Sequence, residues 1–564
     1  MSVEEFEREP VSPERLEPGR HFAASYAGEH VAGTEFVIGA LFVAWGVGTV
    51  DILTGLVIGN LLAVLTWALI CAPIAVDTRL TLYAYIEKIA GPGTVKLYSV
   101  VNGVLFCVLA GAMITVSASA VRILFDLPPQ VDWYPTNAGF VAVALGVGAV
   151  VVVIAIKGFK RVAQFAEVCA PWMILMFFAG ALAILPVLVS ATPGIDSINS
   201  FTDFVLVGDT FIWRDTGSEL DMWHVAAFAW VCNLAMHGGL SDMTILRFAR
   251  KYQYGYFSAL GMFVGHFFAW ICAGIMGAGA AMLMQTSIAE MDAGGVAYQA
   301  LGATGIIAVI IAGWTTSNPT IYRAGLAFQS INPSWSRVKV TAIAGAVTTV
   351  IACFPFVFSK LMDFVGLMGL IIAPLGAVLV TEHWVFPRIG KTRYWAKYRG
   401  LNTNLAAVIA WVSSLLIAFI LNRLGLHLFF LLIPTWFAAM IIYTVLASML
   451  GADQSYTEQV EQEVRTESER KQREKSYLDE IGAAERNSKI GSEALSSRNW
   501  WFYISLICLF VCVALAILTY NRTLSIEQLA SFIIWPTLLY FITATRAAIV
   551  SERADAKIAT TTAD

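Results

Sequence analysis

The sequence predicts an all-α integral membrane protein, on three observations. Charged residues make up only 13% of the 564-residue chain and hydrophobic ones 58%, with mean hydropathy +0.70, whereas soluble domains are about 25% charged. Apolar runs recur along the whole chain, each about 20 residues long and so able, as a helix, to cross a hydrocarbon core about 30 Å thick. The runs are continuous rather than alternating, which selects helices over barrel strands as the way to satisfy backbone polar groups in lipid.

Taken in order, the chain opens with a polar, acidic segment. It has no apolar core before a cleavage site, so a cytoplasmic tail is expected rather than a signal peptide. About fourteen spans follow, near 26–50, 52–75, 98–124, 138–156, 161–189, 222–247, 255–285, 298–328, 337–358, 361–381, 403–422, 426–449, 499–519 and 527–546. Gly91-Pro92-Gly93 reads as a loop turn between spans 2 and 3. Basic residues cluster after spans 4, 6, 8 and 10, for example Lys157, Lys160 and Arg161, then Arg247, Arg250 and Lys251. Residues 125–137 and 285–297 have no Lys or Arg. Cations stay on the cytoplasmic side, so even-numbered connections and both termini are expected inside, in the cell inner (plasma) membrane. Residues 451–498 are dense in Glu, Lys, Arg, Gln and Ser, which predicts a solvated helix or disordered linker.

Two apolar runs carry polar interruptions of the kind that mark unwound helix. Span 1 opens with Tyr26-Ala27-Gly28-Glu29-His30-Val31-Ala32-Gly33-Thr34-Glu35, whose acids either face a cavity or lie at the interface. Span 6 holds Asn233-Leu234-Ala235-Met236-His237-Gly238-Gly239-Leu240-Ser241-Asp242. Gly238-Gly239 is a candidate hinge, and Asp242 is expected to pair with Arg247. Spans 1 and 6 each begin a set of five, which fits an inverted repeat with broken first helices. The expected organisation is a tail (1–25), a ten-helix inverted-repeat core (26–381) and two peripheral helices (382–450). A charged cytoplasmic linker (451–498), two extra helices (499–546) and a cytoplasmic tail (547–564) follow. Span 8 contains Trp314-Thr315-Thr316-Ser317-Asn318-Pro319. Its hydroxyls either offer hard oxygens to a small cation or bond back to their own helix beside the proline.

Several classes are excluded. A net charge of −4 argues against a nucleic-acid partner. The eight cysteines lie inside apolar runs without zinc spacing and read as small hydrophobes. No nucleophile–base constellation or phosphate-cradling loop is present, so an enzyme is not expected.

Four segments resemble the nucleobase:cation symporter-1 family, the cytosine/purine, uracil, allantoin and hydantoin permeases. Trp314-Thr315-Thr316-Ser317-Asn318 with Tyr322 and Ala324-Gly325-Leu326 is similar to its Trp-Thr-Thr-Asn…Tyr-Ser-Ala…Leu stretch. Ser241-Asp242-Met243-Thr244 with Arg247-Phe248-Ala249-Arg250 resembles its Asp-Tyr-Thr-Arg-Tyr-Ala-Arg segment. Gly158-Phe159-Lys160-Arg161-Val162-Ala163 leading to Ala170-Pro171 resembles its fifth-helix entry. Ala373-Pro374-Leu375-Gly376 is similar to its Pro-Pro-Ile-Gly stretch, with Glu382-His383 where the family has Asp-Tyr. The resemblance spans about residues 20–450.

This resemblance implies a leucine-transporter-like bundle and cation-coupled symport of a nucleobase or related small nitrogenous heterocycle by alternating access. It implies no cofactor, a small-molecule solute as partner, and Na+ or H+ as coupling ion. The cation site would fall on Gly28, Val31, Ala312, Thr315 and Thr316. The solute would meet Glu29, His30, Phe106, Trp230, Asn233, His237 and Asn318. The family's helix 3 Trp and Gln are missing, leaving Phe106 to stack, and Glu29-His30 replaces an Ala-Asn pair. Glu29 therefore opens an alternative, a cationic amine or vitamin as solute. A second alternative is a transporter-like sensor acting through the C-terminal extension.

Overall fold

The computed structural model describes residues 8–157, 159–332, 334–487 and 499–561. Gly158, Pro333, residues 488–498 of the linker, and residues 1–7 and 562–564 of the tails lie outside them. Among the described residues no strand forms, and ten helices are long and apolar enough to cross a membrane. They are Thr49–Thr78, Leu82–Phe125, Ala138–Ala155, Gln164–Ala191, Tyr252–Met284, Val357–Arg388, Leu405–Arg423, Leu428–Ala452, Trp500–Tyr520 and Ile526–Ser551. These correspond to spans 2–5, 7 and 10–14. Span 8 is Ala303–Gln329 and span 9 Arg337–Ile351, while spans 1 and 6 are interrupted. The protein is a helical integral membrane protein.

Local chemistry sets several boundaries. Thr81, Asn137 and Asp221 cap the helices of spans 3, 4 and 6 by accepting from backbone N–H groups of the first turn, each worth about 1 kcal/mol. Span 3 begins sixteen residues earlier than expected, because the segment before Gly91 is itself helical. Gly91-Pro92-Gly93 is thus a kink rather than a loop. Gly91 sits at φ +81, and a Cβ there would lie 2.5 Å from the Leu401 carbonyl oxygen. Pro92, lacking an N–H, fits the start of the new helix.

The core forms around spans 3 and 8, which pack along their length. The first half of span 1 packs against spans 5 and 7, its second half against span 7, and the first half of span 6 against span 2. The N-terminal segment lies across one end of the bundle. Val11 N donates to Arg79 O at 3.0 Å and Glu17 N to Phe248 O at 2.8 Å, while the Arg79 guanidinium reaches Ala249 O at 2.5 Å. The connections after spans 2 and 6 therefore share an end with the N-terminal segment. Spans 13 and 14 attach to span 5, where Trp172 Nε1 donates to Thr537 Oγ1 at 3.1 Å and the Tyr540 hydroxyl to Val168 O at 2.8 Å.

Within the expected linker, Thr457–Asn487 is a helix. It is docked rather than solvated all round. Glu463 holds Lys88 at 2.5 Å and Lys397 at 2.8 Å, Lys471 holds Asp77 at 2.5 Å, and Arg79 Nε donates to Glu474 at 3.0 Å. These pairs place the connection after span 10 at that same end.

Candidate solute and cation site

Spans 1 and 6 break where the sequence interrupts them. Span 1 runs Gly19–His30, leaves helical geometry at Val31 and Ala32, and resumes at Gly33–Val43. Span 6 runs Met222–Val231, unwinds at Asn233, makes one turn over Leu234–His237, and unwinds again before Met243–Leu246. The short helical turn ends at the Gly238-Gly239 pair expected as a hinge. Gly238 keeps right-handed helical angles, and Leu240 carries the left-handed conformation at φ +61. Each break frees backbone N–H and C=O groups, which must find partners in protein or in a bound species.

A cavity opens between the breaks. Helix 1 contributes Glu29, His30, Thr34 and Glu35, span 6 Asn233 and Met236, span 7 His266, and span 8 Thr316 and Thr320. Three expected solute residues, Glu29, His30 and Asn233, thus line one cavity together with Thr316. Phe106, Trp230, His237 and Asn318 do not line it. Phe106 is fully buried in the core. Trp230 donates to Thr66 Oγ1 at 3.1 Å. His237 Nε2 sits 3.0 Å from Trp230 O, with its ring against Trp67. Asn318 bonds back to Trp314 O at 2.8 Å, as its own helix allows.

Span 8 meets broken helix 1 through Thr316, whose hydroxyl faces carbonyls of both its own helix and helix 1. Thr316 Oγ1 lies 3.2 Å from Ala312 O and 2.9 Å from Glu29 O across the interface. Thr315 bonds Ala312 O at 3.0 Å. Pro319 cannot donate to the Thr315 carbonyl one turn earlier. The Thr315 and Thr316 hydroxyls, the Ala312 carbonyl and the Glu29 carbonyl near the broken end of helix 1 are therefore close together, oxygens of the hard kind that suit a small cation.

The sequence reading missed Arg323. Two turns past Thr316, it is 1% exposed and grips Glu29 with both terminal nitrogens, at 2.5 and 3.1 Å. It also reaches Asp242 at 2.6 Å. Asp242 accepts further bonds from Trp67 Nε1 at 2.7 Å and the Tyr26 hydroxyl at 3.2 Å. Two expectations change. Asp242 pairs with Arg323 on span 8, and Glu29 is a neutralised carboxylate rather than one held ready for a cationic solute. The triad ties the first half of span 1 and the second half of span 6 to span 8. An arginine inside a membrane span was itself a visible signal.

Glu35 and His266 were also missed as site residues. Glu35 is 2% exposed, and its Oε1 lies 3.8 Å from His266 Nε2. Trp270 Nε1 donates to its other oxygen. His266 sits in a π-helical stretch of span 7, Leu260–Ala269, a distortion frequent at functional sites. Glu382, by contrast, belongs to a separate buried cluster, accepting from Tyr394 N at 2.6 Å and from the Tyr443 hydroxyl. The cysteines are free, seven of them buried, and no group of three metal-ligating side chains occurs among the described residues.

No family model and no curated protein matches the chain. Solved structures do. Mhp1, a nucleobase-cation-symport-1 family transporter in a closed conformation with bromovinylhydantoin bound, is similar at TM-score 0.61 and 14% identity, over 83% of this chain and 99% of that one. A substrate-bound, outward-open Na+-coupled sialic acid symporter is similar at TM-score 0.54 and 14% identity, over 77% and 90%. An inward-facing conformation of Mhp1 is similar at TM-score 0.54 and 13% identity, over 80% and 95%. The chain therefore has the fold of these proteins, with the broken first helices and the paired five-helix sets that its sequence predicts.

Proposed function

We propose that the protein is a secondary active transporter, a cation-coupled symporter that moves a nucleobase or related small nitrogenous heterocycle by alternating access. The observation that carries this reading is the cavity at the junction of two broken helices, with the Thr316 hydroxyl against a helix 1 carbonyl. Unwound segments supply mid-membrane polar groups for solute and ion. Small rotations of the broken helices can then expose the cavity to one side or the other. Mhp1 and the sialic acid symporter share this fold, and the span 8 stretch resembles the symporter-1 motif. In this reading the protein lies in the cell inner membrane with both termini cytoplasmic, and it performs no chemistry on its solute.

Uptake into proteoliposomes tests the proposal. Radiolabelled uracil, hydantoin and the cationic heterocycle histamine are offered under an inward sodium gradient, an inward proton gradient, or neither. Accumulation that needs one of the gradients is expected. Uptake that is indifferent to both, or absent for every compound, overturns the reading.

A further inference from the structure

The cavity contains one carboxylate that the protein does not neutralise with a strong base. Glu29 is gripped by Arg323. Among the described residues no Lys or Arg lies within ion-pair distance of Glu35, which has only His266 nearby, at 3.8 Å. The surroundings hold Glu35 in place rather than cancel its charge. Trp270 donates to Oε2, the Thr34 hydroxyl approaches Oε1 at 3.4 Å, and the His266 ring stacks on Trp270 at 4.3 Å and 14°. Asn233, at the span 6 break, places its amide nitrogen 3.2 Å from His266 Nε2. The rest of the lining includes apolar, soft side chains, among them Met113, Met236, Met368 and Val365. Methionine adapts to flat or irregular bodies and contacts ring edges well.

A buried carboxylate without a positive partner is costly. A bound cation removes that cost, and a pocket that combines a few polar groups with apolar lining orients its guest. We infer, resting on the transporter reading above, that Glu35 is the solute-recognition carboxylate and that the solute presents a protonated nitrogen to it. Asn233 takes a second polar group of the solute, and the lining methionines take its apolar body. Within the small nitrogenous heterocycles proposed above, the substrate class narrows to those that carry a positive charge, on a ring nitrogen or an amine substituent, and the residue responsible is Glu35, not Glu29.

The test uses the full-length protein in lipid nanodiscs. Binding of benzylamine and histamine is compared with that of uracil, hydantoin and benzyl alcohol, the neutral isostere of benzylamine, by ligand-induced thermal stabilisation. The cations are expected to bind at least tenfold more tightly than the neutral compounds. Glu35→Gln should weaken cation binding at least tenfold, and Glu35→Asp should retain part of it. A measurement on the unmutated protein guards against misfolding of the variants. Carbodiimide labelling of Glu35, located by mass spectrometry, should be blocked by benzylamine and not by benzyl alcohol. Equal binding of cations and neutral compounds, cation binding that survives Glu35→Gln, or protection of Glu35 by sodium alone overturns the assignment. Those results leave the transport reading standing if gradient-driven uptake of any compound persists. Absence of uptake for the neutral and cationic compounds alike overturns both.

Discussion

Replacing Arg323 with methionine should expose how strongly the buried triad holds the bundle together. The methionine keeps much of the side-chain volume but removes the guanidinium that meets Glu29 at 2.5 and 3.1 Å and Asp242 at 2.6 Å. Asp242 keeps its Trp67 and Tyr26 donors, so the larger loss falls on Glu29. Breaking a buried ion pair from one side costs about 3–5 kcal/mol, because it strands a charge. That corresponds to about two to three and a half orders of magnitude in the folding equilibrium. Unfolding in mixed detergent micelles, titrated with dodecyl sulfate and followed by tryptophan fluorescence, measures it. Adding Glu29→Gln to Arg323→Met should recover most of the loss, since the charge that the missing guanidinium strands at position 29 is then gone. A single variant within about 1 kcal/mol of the unmutated protein, a small fraction of that cost, refutes the argument. So does a double variant no more stable than the single one.

Thr316→Ala removes the hydroxyl 2.9 Å from Glu29 O and should weaken the apparent affinity for the coupling cation by about tenfold, the worth of roughly one hydrogen bond, while Thr316→Ser preserves it; uptake at varied cation concentration decides. Gly265→Ala would put a Cβ 2.1 Å from His30 O, backbone that cannot step aside, so about 1–3 kcal/mol of destabilisation should show in the same micelle titration. Glu463 is held below its ordinary value of 4.5: burial alone would raise it, but Lys397 and Lys88 outweigh that effect. A depressed carboxylate contributes its stabilisation fully above the unfolded value and loses it as pH falls through the folded one. Docking of the Thr457–Asn487 helix should therefore be full at pH 7 and weaken below 4.5. A spin label at Arg465→Cys reports the distance from the bundle, Glu463→Gln should loosen the helix at neutral pH, and an acid-insensitive distance counts against the pairing.

Much of this protein is determined by its sequence alone. Low charge and recurrent apolar runs dictate membrane helices, because lipid offers backbone polar groups no other partner. The two interruptions, Gly28 to Glu35 and Asn233 to Asp242, announce broken helices, since such residues are too costly to leave facing hydrocarbon. The basic clusters after even-numbered spans predict one shared end, and the structure gathers the connections after spans 2, 6 and 10 there. Helix starts were less legible, as at span 3, where a kinked helical segment precedes Gly91.

Only the tertiary structure decided which polar residues meet. Arg323 and Glu29 are 294 positions apart, and Glu35 and Trp270 are 235 apart. No periodicity within one helix reports a partner on another. Composition therefore marks Glu29 and Glu35 as alike, two acids at the start of one span. Packing alone gives the first an arginine and leaves the second facing the cavity. The same holds for Phe106, Trp230, His237 and Asn318, whose residue types suit a solute but whose helix faces turn elsewhere. A side chain's chemistry is written in the sequence, but its surroundings are set by how the helices rotate against one another as they pack.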